Sequence, residues 1–156
     1  MTAGDGADAG QARIVVGVDG SQHARDALRW AAHFGRVFGA RVEAVIAWEY
    51  PPALGWSVLP DDWDPAEDMR KVLEESVADV FGDQPPAGLQ QLVQEGGAAR
   101  VLIEACEGAA ILVVGSRGHG GFSGLLLGSV SANVAEHAPC PVLIIHGDQA
   151  PPPVVG

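Results

Sequence analysis

The chain alternates between short apolar runs and longer stretches in which apolar residues recur every three or four positions. Arg13-Ile14-Val15-Val16-Gly17-Val18 is the first run. It is β-branched and apolar on both faces, the pattern of a central strand in a parallel sheet. After Ser21, which suits a helix N-cap, Ala24, Ala27, Leu28, Ala31, Phe34 and Phe38 fall on one helical face, with Arg25 and Arg29 turned away. Gly39 stops that helix. Val42 to Ala47 is a second strand. Asp64-Pro65-Ala66-Glu67 is a helix start with a capping residue, a first-turn proline and an acid three positions on; Met69, Val72, Leu73, Val77, Val80 and Phe81 make its stripe, and Gly82 ends it. Pro85 and Pro86 read as turn. Leu89 to Gln94 is a strand polar enough for a sheet edge. Ala98 to Glu107 is a helix with Val101, Leu102 and Ala105 inward and Arg100 and Glu104 as an exposed pair. Ile111 to Val114 is the fourth strand. Ala132 to Ala138 reads as the last helix, its first turn reaching back to Ser129, and Pro141 to Ile145 as the last strand.

Such alternation predicts an α/β fold, a doubly wound five-stranded parallel sheet with helices on both faces. Ligands in such sheets lie beyond the strand C-termini, where the strand order reverses. If the first and fourth strands are neighbours, Asp19 and the loop after Val114 face each other across that crevice. The folded unit is one domain over residues 12–146; residues 1–11 are small, polar and glycine-rich, residues 147–156 carry three consecutive prolines, and both read as disordered tails. Trp48 to Asp62 contains three prolines and two tryptophans without a clean period. It reads either as a binding-loop lid or as a segment whose Trp48 and Trp56, with Trp63, pack over the domain's edge.

Composition narrows the function. Net charge is −11 over 156 residues, which disfavours nucleic acid and anionic membrane surfaces as partners. No apolar run approaches the ~20 residues of a bilayer span. Residues 1–11 lack the basic and apolar regions of a signal peptide, so a cytoplasmic location is expected. Cys106 and Cys140 have no framework or metal-ligand spacing and read as two buried thiols in a reducing cytoplasm.

The candidate chemistry lies in Ile111 to Ser131, where six glycines, at 115, 118, 120, 121, 124 and 128, separate a strand from a helix start. Backbone N–H groups and a helix N-terminus then surround one small volume, which suits a phosphate. This is neither a Walker A loop, since Ser129 follows Gly128 directly and the only lysine is Lys71, nor a dinucleotide fingerprint, since position 123 is Ser. It is Gly-x-x-Gly, nine residues, then Gly-Ser, carried by Gly115, Gly118, Gly128 and Ser129. The cradle would be Gly115, Gly118, Gly128, Ser129 and Val130, with Arg117 the loop's only cation. Asp19, at the end of the first strand, suits a ribose or a phosphate-bound metal ion; it also suits a cap or a brace for the turn at Gly20. His23, His33, His119, His137 and His146 show no helical metal spacing, and His119 reads as a solvated loop residue. No base is nominated that would make Ser129 a nucleophile.

From Arg13 to Ile145 the chain resembles the ATP-binding, single-domain type of universal stress protein. Three segments carry the resemblance: Ile14 to Ser21, Ile111 to Ser131, and His137-Ala138-Pro139-Cys140-Pro141-Val142. It implies strand order 3-2-1-4-5, ATP binding, and a homodimer through the last strand, Val142 to Ile145, whose exposed apolar edge is an independent motive for pairing. By position it implies that Gly17, Val114 and Gly115 line the nucleotide and that Asp19 contacts ribose and the metal-bound phosphates. The backbone of Ala47 would read adenine. Gly118, Gly128, Ser129 and Val130 would hold the phosphates, and Arg117 and Ser131 are further candidates for contact with the nucleotide. One arginine does not offset a triphosphate, so Mg²⁺ is expected with ATP. The family is regulatory more than catalytic, with ATP hydrolysis slow or absent. Alternatives are a binding protein for AMP or cyclic AMP, or a slow nucleotide hydrolase; the S-G-G-x-D-S and H-I-G-H patterns of related hydrolases and synthetases are missing.

Overall fold

A computed structural model describes residues 10–50, 60–118, 127–147 and 150–153. The elements follow the predicted alternation: β1 (Arg13–Gly17), α1 (Gln22–Phe38), β2 (Arg41–Trp48), α2 (Pro65–Phe81), β3 (Gln90–Glu95), α3 (Ala98–Ala105), β4 (Ile111–Gly115), α4 (Ser129–His137) and β5 (Val142–Ile145). The strands form one parallel sheet in the order β3-β2-β1-β4-β5. β1 is therefore the switch point, paired with β2 on one side and β4 on the other.

Strand periodicity divides the core. Ile14, Val16, Val42, Ala44 and Val113 point to the face covered by α1 and α2, where Ala27, Leu28, Ala31, Leu73 and Val77 meet them. Val15, Val45, Leu112 and Val114 point to the other face, against Val101, Leu102 and Val134 of α3 and α4. Both caps read from the sequence form: Ser21 accepts from the Ala24 amide at 3.2 Å, and Asp64 from the Glu67 amide at 3.2 Å. Gly39 closes α1 with φ 65°, a left-handed value that favours glycine. β3 is polar and largely exposed, as an edge strand should be. Among the described residues no helix is long and apolar enough to cross a membrane.

Some expectations need correction. Phe38 does not join the core; it is 59% exposed at the C-terminal end of α1, its ring stacked on Phe34 at 5.6 Å. α3 stops at Ala105, two residues early, because Cys106 takes the cap position and Gly108, at φ 76°, turns the chain toward β4. Arg100 does not pair with Glu104; its guanidinium lies over Gly96. Arg29 is paired with the buried Asp26 at 2.8 Å, and Arg25 reaches Asp79 of α2 at 3.0 Å. Cys106 is buried, but Cys140 is only half-buried.

At the tryptophan-rich connection Trp48 meets Tyr50 edge-on at 5.3 Å, and Tyr50 meets Trp63 at 5.9 Å. The two flanks of that connection are thus joined by aromatic contact. Trp56, with the rest of 51–59, lies outside the described residues, as do His119, Gly120, Gly121 and Gly124 of the glycine loop and the tail expectations at 1–9, 148–149 and 154–156.

Candidate nucleotide-binding site

A cleft opens beyond the C-terminal ends of β1 and β4, at the switch point. Because parallel strands all end on this side, the helices that follow them begin here, and their unpaired first-turn amides converge. The described walls include Gly17 at the end of β1 and Asp19 just beyond it, Val114 and Gly115 at the end of β4, Arg117 and Gly118 at the loop's start, and Gly128, Ser129, Val130 and Ser131 at its end. Ten of the eleven residues nominated from the sequence therefore meet in one place. Ala47 does not line the cleft; it is half-buried in the cluster under α3 and paired in register with Gln94.

Asp19 fills the structural role open to it and also stands at the cleft. Its Oδ1 accepts from the Ser21 amide at 2.9 Å and the Ser21 hydroxyl at 2.5 Å, which braces the turn into α1. Gly20 within that turn has φ 84°, where a side chain would be strained. Its Oδ2 faces Gly118 so closely that a Cβ added there would overlap it. Asp19 and the glycine loop thus do face each other across the crevice. Arg117, half-buried, is the only cation among the described lining residues.

The end of the loop is an open helix terminus. Gly128 is the N-cap of α4 and no side chain caps it. The first intrahelical amide bond is from Ala132 to the Gly128 carbonyl, at 3.0 Å. The amides of Ser129, Val130 and Ser131 precede it and find no acceptor among the described residues. Converging N–H groups and the positive end of the helix dipole favour an anion, the dipole by about 0.3–1 kcal/mol.

The Ser131 side chain has a structural role that its sequence position does not reveal. It is buried, and its hydroxyl bonds to the Ser116 carbonyl at 3.0 Å and the Gly128 carbonyl at 3.1 Å. The Gly128 amide donates to the same Ser116 carbonyl at 2.7 Å, and the Ser116 amide to Ile145 of β5 at 2.9 Å. These bonds clamp the two ends of the glycine loop together and tie them to the sheet. Ser131→Ala is expected to lower stability by about 0.5–1.5 kcal/mol, because the Ser116 and Gly128 carbonyls lose the hydroxyl they share but each keeps a backbone amide. A urea unfolding midpoint equal to that of the parent protein would show that the clamp contributes nothing.

The sequence missed Val18, Ala24, Ala98 and Leu102 as lining residues, and Ser116 as the stem of the clamp. Ala98 and Leu102 are one helical turn apart at the start of α3. That spacing was the available signal, but it is also the signal of a core face. Gly17 explains the room beside them: a Cβ there would lie 2.8 Å from Leu102 Cδ1 and 3.4 Å from Val114 Cγ1. Gly17→Ala is expected to push the flexible Leu102 side chain into the cleft, lowering ligand affinity several-fold while the melting temperature moves little.

Residues 12–146 match the family model described as the universal stress protein family. The chain belongs to that family. A universal stress protein of Mycobacterium tuberculosis is 35% identical over 137 residues, which are 86% of this chain and 45% of that protein. The chain spans about half the length of the curated relatives it matches. A universal stress protein solved in complex with cAMP is 28% identical, with a TM-score of 0.64 over 87% of this chain and 97% of that one. The universal stress protein from Archaeoglobus fulgidus in complex with dAMP has the same fold, with a TM-score of 0.60 and 24% identity over 85% of this chain and 96% of that one.

Proposed function

We propose that this universal stress protein binds an adenine nucleotide, ATP with Mg²⁺, between the glycine loop and Asp19, and works in the cytoplasm as a nucleotide-responsive regulatory homodimer in stress response. The observation that carries the reading is the uncapped start of α4, whose three open amides face the Asp19 carboxylate across a cleft walled by Gly17, Ala98, Leu102 and Val114. Phosphates suit the amides, and a base suits the apolar wall. The likeness to a protein solved with cAMP supports the adenine class.

Mg²⁺ fits this site in one way. Among the described residues no group of three or more His, Cys, Asp or Glu side chains could hold a metal ion. The ion would be held by phosphate oxygens, water and Asp19, which is how Mg²⁺ is commonly bound beside phosphates. The proposed homodimer would pair through β5, the sheet edge on which Val142, Leu143 and Ile144 remain only half-buried.

The test is to denature protein purified without added nucleotide and identify what is released by chromatography and mass. Affinities for ATP, AMP and cyclic AMP are then measured with and without Mg²⁺. ATP release, or ATP affinity that rises with Mg²⁺ and exceeds that for AMP and cyclic AMP, supports the proposal. Preference for cyclic AMP moves the protein to the second reading, which the cAMP-bound neighbour favours. Failure to bind any of the three overturns both.

A further inference from the structure

A second cavity, of about 320 Å³, lies on the other flank of α3 from the cleft. Ala98 and Leu102 line the cleft, whereas Val101, Glu104 and Ala105 line this second cavity. The fold leaves it open. On this face α3 packs on β1 and β2, while the helix that packs on β3 is α2, on the opposite face. The middle of the groove is apolar: Val45 and Val101 are buried and Leu92 is half-buried. One end holds a closed ionic network. Arg13 Nη1 donates to Glu43 Oε2 at 2.8 Å and to the Ala105 carbonyl at 3.2 Å, and Arg13 Nη2 donates to the Glu107 carbonyl at 2.6 Å. Arg41 reaches the other oxygen of the buried Glu43 at 3.3 Å. The charges of Arg13 and Glu43 are thus spent on each other and on the end of α3.

Two carboxylates of the wall are not spent. Glu104 and Glu95 have no ion-pair or hydrogen-bond partner among the described residues. Arg100, whose guanidinium lies over Gly96, pairs with neither and is not part of the wall. The two acids stand at opposite ends. Glu104 precedes Ala105, at the Arg13 end. Glu95 is the last residue of β3 and is in register with Trp48, five residues beyond Glu43 on β2, or about 16 Å along the strands. Along α3, Glu104 lies seven residues past the cap at Gly97, about 10 Å. The groove is therefore long, apolar in the middle and negative at both ends.

We propose that this groove binds a linear aliphatic diamine or polyamine, with one ammonium on Glu95, another on Glu104, and the methylene chain over Val45, Leu92 and Val101. An ammonium brings three donors and no acceptor, which matches carboxylates that lack donors. The methylenes between the two charges match the apolar floor, and their burial adds to the ion pairs. An anion meets like charge at both ends. A monoamine satisfies one end only. Because both carboxylates are exposed, each ion pair contributes little, and the length of the chain has to bring both into play at once. α3 is then the common wall of two sites, one on each flank.

The test titrates hexamethylenediamine into the full chain at about 150 mM salt, where loose attraction of cations to an acidic protein is screened, and follows the backbone amides by NMR. The expected result is saturable shifts below about 10 mM at Val45, Leu92, Gln94, Val101 and Glu104. Hexylamine, with one ammonium, and ethylenediamine, with a chain too short for both ends, should each bind about two- to fivefold more weakly. Glu95→Gln and Glu104→Gln should each weaken hexamethylenediamine by the same factor and bring it level with hexylamine. Both positions are exposed, so the variants should fold, and their amide spectra check it. Shifts that do not saturate would overturn the proposal. So would shifts centred on the exposed acids of α2, such as Glu67, Glu74 and Glu75, or parental affinity in both variants. The titration is run without nucleotide, so its outcome is independent of the nucleotide reading.

Discussion

Gly118→Ala is expected to weaken adenine nucleotide binding about 10–100-fold while leaving the fold intact. The added methyl would overlap Oδ2 of Asp19. Asp19 has little freedom to retreat, since its other oxygen is held by the amide and hydroxyl of Ser21, and that turn also sets the cap of α1. The loop must therefore move, which takes the Gly118 amide and Arg117 away from the proposed phosphate position. Losing a hydrogen bond to a charged group costs about 1.5–3 kcal/mol, and each 1.4 kcal/mol is tenfold in affinity. Gly118 and Asp19 are both exposed, so the cost in stability should stay under about 1 kcal/mol. Titration of nucleotide against the parent and the variant, with a thermal melt of each, checks both halves. Parental affinity in a folded Gly118→Ala protein would mean that the phosphates do not lie at this corner of the cleft.

The sheet was legible because β1 and β4 are short, β-branched and apolar on both faces, which in a chain this size leaves a central position in a parallel sheet as the consistent choice. Most of the cleft was legible for a related reason. Asp19 and Gly118 each stand just beyond the end of one of those strands, so predicting the strands as neighbours places the residues opposite each other. Two things were not legible. Ala98 and Leu102 read as a helix's buried face, and they are partly that; only the missing side chain at Gly17 leaves space beside them. Ser131 reads as another donor at the helix start, and its use as a clamp on Ser116 depends on where the loop returns. Phe38 errs in the opposite direction: its spacing is right for the stripe, but as the last residue of α1 it stays exposed.

Gly115→Ala should behave as the converse of Gly118→Ala, although both glycines belong to one motif. Gly115 is the last residue of β4, and its Cβ direction follows the strand alternation to the face shared with Val113, under the first turn of α1. A methyl there would lie 2.7 Å from His23 Cβ and 2.8 Å from the His23 carbonyl carbon and oxygen. Two of those three atoms are backbone, which no rotamer change removes. α1 would have to lift, yet it is fixed by the Ser21 cap and by Ala24, Ala27, Leu28 and Ala31 in the core. Overpacking of this kind costs about 1–3 kcal/mol, and the backbone contact puts the expectation near the upper end. Against a typical domain stability of about 5–15 kcal/mol this is a large share. It should appear as a lower urea midpoint with an unchanged slope. An unshifted midpoint would show that the first turn of α1 yields freely. If it does not yield, the nucleotide affinity of the remaining folded Gly115→Ala protein should fall less than that of Gly118→Ala, because the phosphate corner is untouched and only the seating of Asp19 at the start of α1 is disturbed. The two alanine variants then assign the glycines of a single motif to separate causes, one to helix packing and one to ligand approach.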